Sequence, residues 1–146
     1  MIPAELSTKT LEPGTRIVKV IPPRLIEPYL SGQRSVIAGY VHRAQDCSCR
    51  TPADYYQCFV LGYEGSEFAA NMTEIYVMRW IALDMSGSLV EVPPSSSRGP
   101  VSMVPEFFTL PVPIPVGAEI GRVTVGPEEF VARYDGQVWL RPLREG

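Results

Sequence analysis

MVPEFFTLPVPIPVGAEIGRVTV, residues 103–125, sets one carboxylate, Glu106, at the head of an apolar strand-like run, holds four prolines, one just before Glu106 and three after it, and enters a second strand. Desolvating a lone acid on an apolar segment is costly without a partner, so Glu106 reads either as part of a site or as an acid turned to water. Proline removes a backbone donor and fixes φ, which excludes a continuous helix here and predicts strand, rigid turn, strand. The same punctuation runs through the chain. Its 15 prolines and 12 glycines fall mostly between apolar runs, predicting short strands joined by tight turns.

Upstream, Ser86–Pro100 (SGSLVEVPPSSSRGP) has too few apolar groups to fold unaided and is read as a mobile surface loop. Before it, EIYVMRWIAL at 74–83 is the most strand-like run, and its near-continuous apolarity predicts burial on both faces, with Arg79 near one end. Thr51 followed by Pro52 and Asp54 is a helix start, and Tyr55, Tyr56, Phe59 and Val60 supply a buried stripe before Leu61 and Gly62 close it. Ser35–Arg43 (SVIAGYVHR) predicts a strand in which Gly39 marks a bulge or a close approach of a ligand to the backbone. Pro28 limits residues 24–33 to a turn of helix or an extended loop.

Arg16–Ile21 (RIVKVI) predicts a core strand with Ile17, Lys19 and Ile21 on one face and Arg16, Val18 and Val20 on the other. Residues 1–13 read as an N-terminal arm ending in a turn at Glu12, Pro13 and Gly14. At the other end, Glu128–Tyr134, the turn at Asp135 and Gly136, and Gln137–Arg141 form a hairpin signal. The expectation is an α+β fold, one compact domain over 1–146, rich in short strands with one or two short helices.

With 146 residues, 45% hydrophobic, 20% charged and a net charge of −3, the chain has material for a core and no general affinity for polyanions, so neither nucleic acid nor membrane is an expected partner. No apolar run approaches the ~20 residues of a membrane span, and MIPAELSTKT lacks the basic-then-apolar order of a signal peptide. A soluble, cytoplasmic site of action follows as the expectation. Cys47, Cys49 and Cys58 lie near the sole histidine, His42, but C-x-C with irregular further spacing is not the paired knuckle of a structural zinc site. They are read as free, core-packing thiols, with no metal.

The glycine-rich nucleotide loops, the G-x-S-x-G elbow and H-E-x-x-H are all absent from the sequence. Pairing His42 with Cys47 or Cys49 on neighbouring backbone does not suit a nucleophile triad, so His42 reads as a half-buried imidazole at a strand end.

Segment order together with chemistry resembles a known family. SVIAGYVHRAQD, then TPADYY opening a helix, then EIYVMRWIA, then VPEFFTLPVPIPVGAEIGRV, is similar to the second half of the bacterial ADP-ribosyltransferase toxins, over roughly residues 35–125. In that family a strand ending in Ser-Thr-Ser precedes a helix and further strands, and the catalytic glutamate stands just before an Ile-Pro step. Glu106 takes the glutamate's place, and Ile114 and Pro115 take that of the step. The resemblance implies a split-sheet fold and transfer of ADP-ribose from NAD as substrate, or NAD hydrolysis, with a protein acceptor or a cognate immunity protein as the partner. It implies Glu106 and Arg16 as catalytic residues, with Lys19 and Arg43 as competitors of Arg16, and Arg43, His42, Tyr40 and Phe107 on the NAD-binding side. The sequence departs from the pattern: Val41, His42 and Arg43 stand where Ser-Thr-Ser belongs, and Val104 stands where many members carry a further acid. The alternative is a non-enzymatic α+β binding module of immunity or adaptor type, with Tyr55, Tyr56, Phe107, Phe108 and Trp139 as anchors.

Overall fold

Alternation in RIVKVI forms the central strand β1 (Arg16–Ile21), whose two faces are both buried: Ile17, Val18 and Ile21 are at most 1% exposed. The computed structural model describes residues 14–59, 61, 67–69, 71–82, 89–91 and 106–142, with the backbone alone at 89–91, 106, 108 and 110. After β1 come a 3-10 turn (Pro23–Leu25), α1 (Ile26–Leu30), β2 (Val36–Arg43), a second 3-10 turn (Ala44–Asp46), α2 (Pro52–Cys58), β3 (Ile75–Ile81), β4 (Leu89–Glu91), β5 (Glu106–Pro113), β6 (Glu119–Val123), β7 (Glu129–Tyr134) and β8 (Trp139–Leu140). The strands form a curled sheet in the order β4-β5-β2-β1-β3-β6-β7-β8, with every pairing antiparallel. The fold is mostly strand and broadly α+β, as expected.

Two apolar layers hold the sheet. On one face Ile17, Ile21, Ile37, Val41, Met78, Trp80, Phe107 and Ile120 form a core that Tyr29 of α1 helps to cover. On the other, Val18, Val20, Ile75, Val77 and Val123 pack under Tyr55 of α2 with Phe59 and Leu61. Neighbours of opposite parity, Val77 and Met78, are both at 0% exposure, which is why β3 reads as a continuous apolar run. The face assignment expected for β1 holds, and Lys19 lies on the Ile17 side.

The short helices follow from local chemistry. The Thr51 hydroxyl accepts from the Asp54 N–H at 3.2 Å, the Asp54 carboxylate accepts from the Thr51 N–H at 3.1 Å, and Pro52 occupies the first turn, where no intrahelical donor is needed. Pro28 is tolerated in α1 because it lies within the first four positions, whose N–H groups have no intrahelical partner. The hairpin of β7 and β8 turns at Asp135, whose Oδ1 accepts from Gln137 N and Val138 N, both at 2.8 Å.

The organising stretch forms β5 and β6, but the strand runs further into the prolines than expected. Pro111 and Pro113 lie inside β5. Beyond Thr109 only β2 pairs with β5 among the described residues, so a missing proline donor costs no bond on the other side. An irregularity falls at Gly39, as the sequence suggested, and the extra residue is on β5. Ile37 pairs with Val112 and Gly39 with Thr109, so Leu110 and Pro111 together face Ala38. Gly39 takes φ +99°, and a Cβ there would sit 3.5 Å from Lys19 Nζ, which donates to Tyr40 O at 3.3 Å.

One expectation is corrected. Residues 86–100, read as a loop, contain β4, whose Leu89, Val90 and Glu91 pair with Thr109, Phe108 and Phe107. A three-residue strand draws its stability from the partner it bonds, so the polar composition around it concealed it. The rest of that stretch, like the arm 1–13 and Gly62, lies outside the described residues.

Candidate active site at one end of the sheet

The register brings chemistry-bearing positions from distant parts of the chain onto one row. Position 106 on β5 pairs with His42 on β2, His42 with Val18 on β1, Val18 with Arg79 on β3, and Arg79 with Glu119 on β6. Paired residues of antiparallel strands share a face, so this row lies on the face that α2 covers in part. At about 4.8 Å per strand it spans about 19 Å. Arg16 lies on the same face, two residues along β1 from Val18, or about 7 Å further towards the sheet end. Position 106 and Arg16 are two strands apart, about 10 Å across, which a long guanidinium side chain and a ligand together can bridge.

His42 is 4% exposed, with its ring stacked on Phe59 at 3.7 Å between centroids and 7° between planes. It is more buried than the half-buried imidazole expected, because Phe59, just after α2, lies flat upon it. Arg16 is exposed and makes no hydrogen bond or ion pair among the described residues. It lines a cleft of about 220 Å³ with Arg79, Trp80, Ile81, Gly117 and Glu119. Ligand pockets commonly enclose about 300–1,000 Å³, so this cleft suits a phosphate-sized part of a larger molecule.

Arg79 and Glu119 are already engaged. Arg79 donates through one Nη to Tyr55 Oη at 3.0 Å and through the other to the Glu128 carboxylate. Burial works against the Arg79 charge, and the hydrogen bond it donates to Glu128 together with the Tyr55 contact more than offsets it, raising its pKa above the ordinary arginine value. Arg133 binds Glu119 through Nε at 3.0 Å. With those charges balanced, Arg16 is the cation at this cleft without a described partner. The Arg79 arrangement was not legible in the sequence beyond the presence of an arginine in an apolar strand. Its signal was Gly121: a Cβ there would lie 2.6 Å from Glu128 Oε2, so glycine leaves the space through which Glu128 reaches Arg79.

The other expected site residues divide by face. Tyr40, 36% exposed, shares the face of His42 and position 106. Arg43 and Phe107 lie on the opposite face: Phe107 is in the core at 3% exposure, and Arg43 sits 5.6 Å above its ring while Nε donates to Asp46 at 2.7 Å. Lys19 is also on that face. Of the basic residues weighed for the first-strand role, Arg16 alone shares a face with position 106.

Beneath α2, Cys47, Cys49 and Cys58 pack against the Val18 cluster, and all three are free thiols. Among the described residues no three of His, Cys, Asp and Glu are grouped to hold a metal ion. Burial first, then Cys58, pushes the Cys47 and Cys49 thiols up to about 12, and burial pushes the Tyr55 phenol up to about 12. Each group releases its proton more readily in the unfolded chain, so its contribution is fully present below the unfolded value and is lost as pH rises through the folded one. Stability is expected to fall from about pH 9 to pH 12, and less steeply when Cys47 and Cys49 are both serine. Urea midpoints measured across that range check this; parallel slopes for the two proteins would refute it.

No helix among the described residues is long and apolar enough to cross a membrane. Comparison of the chain with protein-family models, with curated proteins and with solved structures finds no match.

Proposed function

We propose that the chain is an ADP-ribosyltransferase-like or NAD-hydrolysing domain in which Glu106 stabilises a ribosyl cation and Arg16 holds the pyrophosphate. One observation carries the reading: the order β5-β2-β1 sets side by side the three strands it calls upon, with position 106, His42 and Arg16 on one face and at one end. The reaction breaks the bond between nicotinamide and ribose C1′. Nicotinamide leaves with the bonding pair, positive charge grows on the ribose, and an acceptor group or water then bonds to C1′ and gives up a proton. A carboxylate fixed beside C1′ lowers the barrier because it meets charge that exists mainly in the transition state. Arg16 suits the second role because it faces a phosphate-sized cleft and has no partner among the described residues. Tyr40, exposed on the same face as position 106, is the contact for the nicotinamide half, whereas His42, buried under Phe59, supports the strand end from this face and Arg43 and Phe107 support it from the other.

The binding-module alternative draws less support. Tyr55, Phe107 and Trp139, three of its aromatic anchors, are core residues at 2%, 3% and 8% exposure and are not available to a partner.

The test is nicotinamide release from NAD, with and without cell lysate as a source of acceptor. Arg16→Ala is expected to raise the KM for NAD by about tenfold or more, because a clamp on the pyrophosphate acts in the ground state as well as in the transition state. Absence of both NAD binding and nicotinamide release by the wild type, under either condition, discards the enzyme reading.

A further inference from the structure

Arg16 and Glu119 border one cleft with opposite charges and do not pair across it among the described residues. Ile81 pairs with Arg16 between β1 and β3, and Glu119 pairs with Arg79, two residues from Ile81 along β3, so all four share the face that carries position 106. Glu119 is held from the β7 side, where Nε and Nη2 of Arg133 both donate to Oε1. Its Oε2 makes no hydrogen bond among the described residues. On β3, the strand between those of Arg16 and Glu119, Ile81 is 50% exposed. Gly117 completes the lining, with nothing within 4 Å of where a Cβ would stand. The cleft therefore offers, side by side, a cation for an anion, an apolar floor and a carboxylate oxygen ready to accept from a hydroxyl.

Strand order gives the ligand a direction. Position 106 lies two strands from Arg16 on the β5 side and Glu119 two strands from it on the β6 side, about 10 Å across the sheet each way. A dinucleotide with its pyrophosphate on Arg16 and its nicotinamide ribose at position 106 has its adenosine half directed over β3 and β6. We propose that Ile81 and Glu119 form the adenosine subsite, with Ile81 beneath the adenine and Glu119 Oε2 accepting from the ribose 2′-hydroxyl, so that the site takes NAD and disfavours NADP. The assignment rests on Arg16 as the pyrophosphate clamp of the proposed enzyme. A hydroxyl gives the carboxylate a charge-assisted hydrogen bond, whereas a 2′-phosphate sets a charge of about −1.5 to −2 against it. Arg133 is a positioning residue: with both of its bonds on Oε1 it fixes the carboxylate, leaves Oε2 for the ligand and has its own charge balanced.

Titration calorimetry of the full chain with ADP-ribose and with 2′-phospho-ADP-ribose tests this without any nicotinamide chemistry. ADP-ribose is expected to bind about tenfold or more tightly than its 2′-phosphate. Glu119→Gln keeps the shape of the side chain and removes its charge, and is expected to bring the two affinities to within about threefold, mainly by tightening the 2′-phosphate. Loss of an exposed ion pair costs little stability, so this variant stays folded. Glu129→Gln removes an equal charge on the opposite face, where Glu129 binds Arg122, and is expected to keep the wild-type ratio. Ile81→Ser is expected to weaken both ligands alike, by roughly threefold or more. Equal wild-type affinities, tighter binding of the 2′-phosphate, binding of neither ligand, a ratio that Glu119→Gln leaves unchanged, or an Ile81→Ser protein with wild-type affinities overturns the proposal. Preference for ADP-ribose in a protein that releases no nicotinamide from NAD keeps the subsite and discards the catalytic reading. Nicotinamide release at equal rates from NAD and NADP does the reverse.

Discussion

Glu106→Gln is expected to lower the turnover of nicotinamide release from NAD by on the order of a hundredfold or more while leaving NAD affinity nearly unchanged. Glutamine keeps the shape and the hydrogen-bonding capacity of the side chain and removes the charge, so only an interaction specific to the ribosyl cation is lost. Arg16→Ala should show the contrasting signature, its loss falling on KM. Single-turnover and steady-state measurements on both variants separate the two. A Glu106→Gln protein with wild-type turnover would move the chemistry away from position 106, even if nicotinamide release from NAD were confirmed.

The second large effect concerns stability. Phe59 is 3% exposed, stacks on His42, and meets Tyr55 edge-on at 5.5 Å. Phe59→Ala is expected to cost about 3–5 kcal/mol, combining lost apolar burial with the cavity left between α2 and the sheet. Because it also bares the buried His42 ring, relaxation of the helix onto the sheet can recover only part of that cost. Urea unfolding followed by tryptophan fluorescence measures it. A cost below about 1 kcal/mol would show that α2 is loosely attached and that the Val18 cluster is closed by other groups.

Much of the fold was legible because its signals are local. The capping residues at Thr51 and Asp54, the alternation at 16–21, the apolar run in β3 and the turn at Asp135 each depend on neighbours in sequence, and each element stands where the sequence places it. Elements that depend on distant partners were less visible. The three residues of β4 are a strand only because β5 offers its backbone, and β5 continues through Pro111 and Pro113 where, among the described residues, β2 alone pairs with it. The candidate site divides in the same way. Glu106 and Arg16 stand out by chemistry, but which residues share their face is a matter of register. Register separated His42 and Tyr40 from Arg43 and Phe107, and it introduced Arg79, held by Glu128 through the space at Gly121.

The extra residue in β5 gives chain length a meaning of its own. Val112 and Ile114 pack with the core beyond the bulge, and Phe107 packs with the same core before it, although their numbers differ in parity. Were all these residues kept in regular alternation without the bulge, a strand with Val112 and Ile114 inward would turn position 106 to the core side and position 107 to the side of His42; the bulge is what lets the strand carry one residue more and keep both faces. Between Glu106 and Ile114, then, the count of residues is itself information. Any relative that retains this arrangement is free to vary Leu110 or Pro111 in kind, and even to lose one of them, which would straighten the strand and keep its faces; a further residue that the bulge does not absorb would exchange the two faces and silence the site without altering any residue in it.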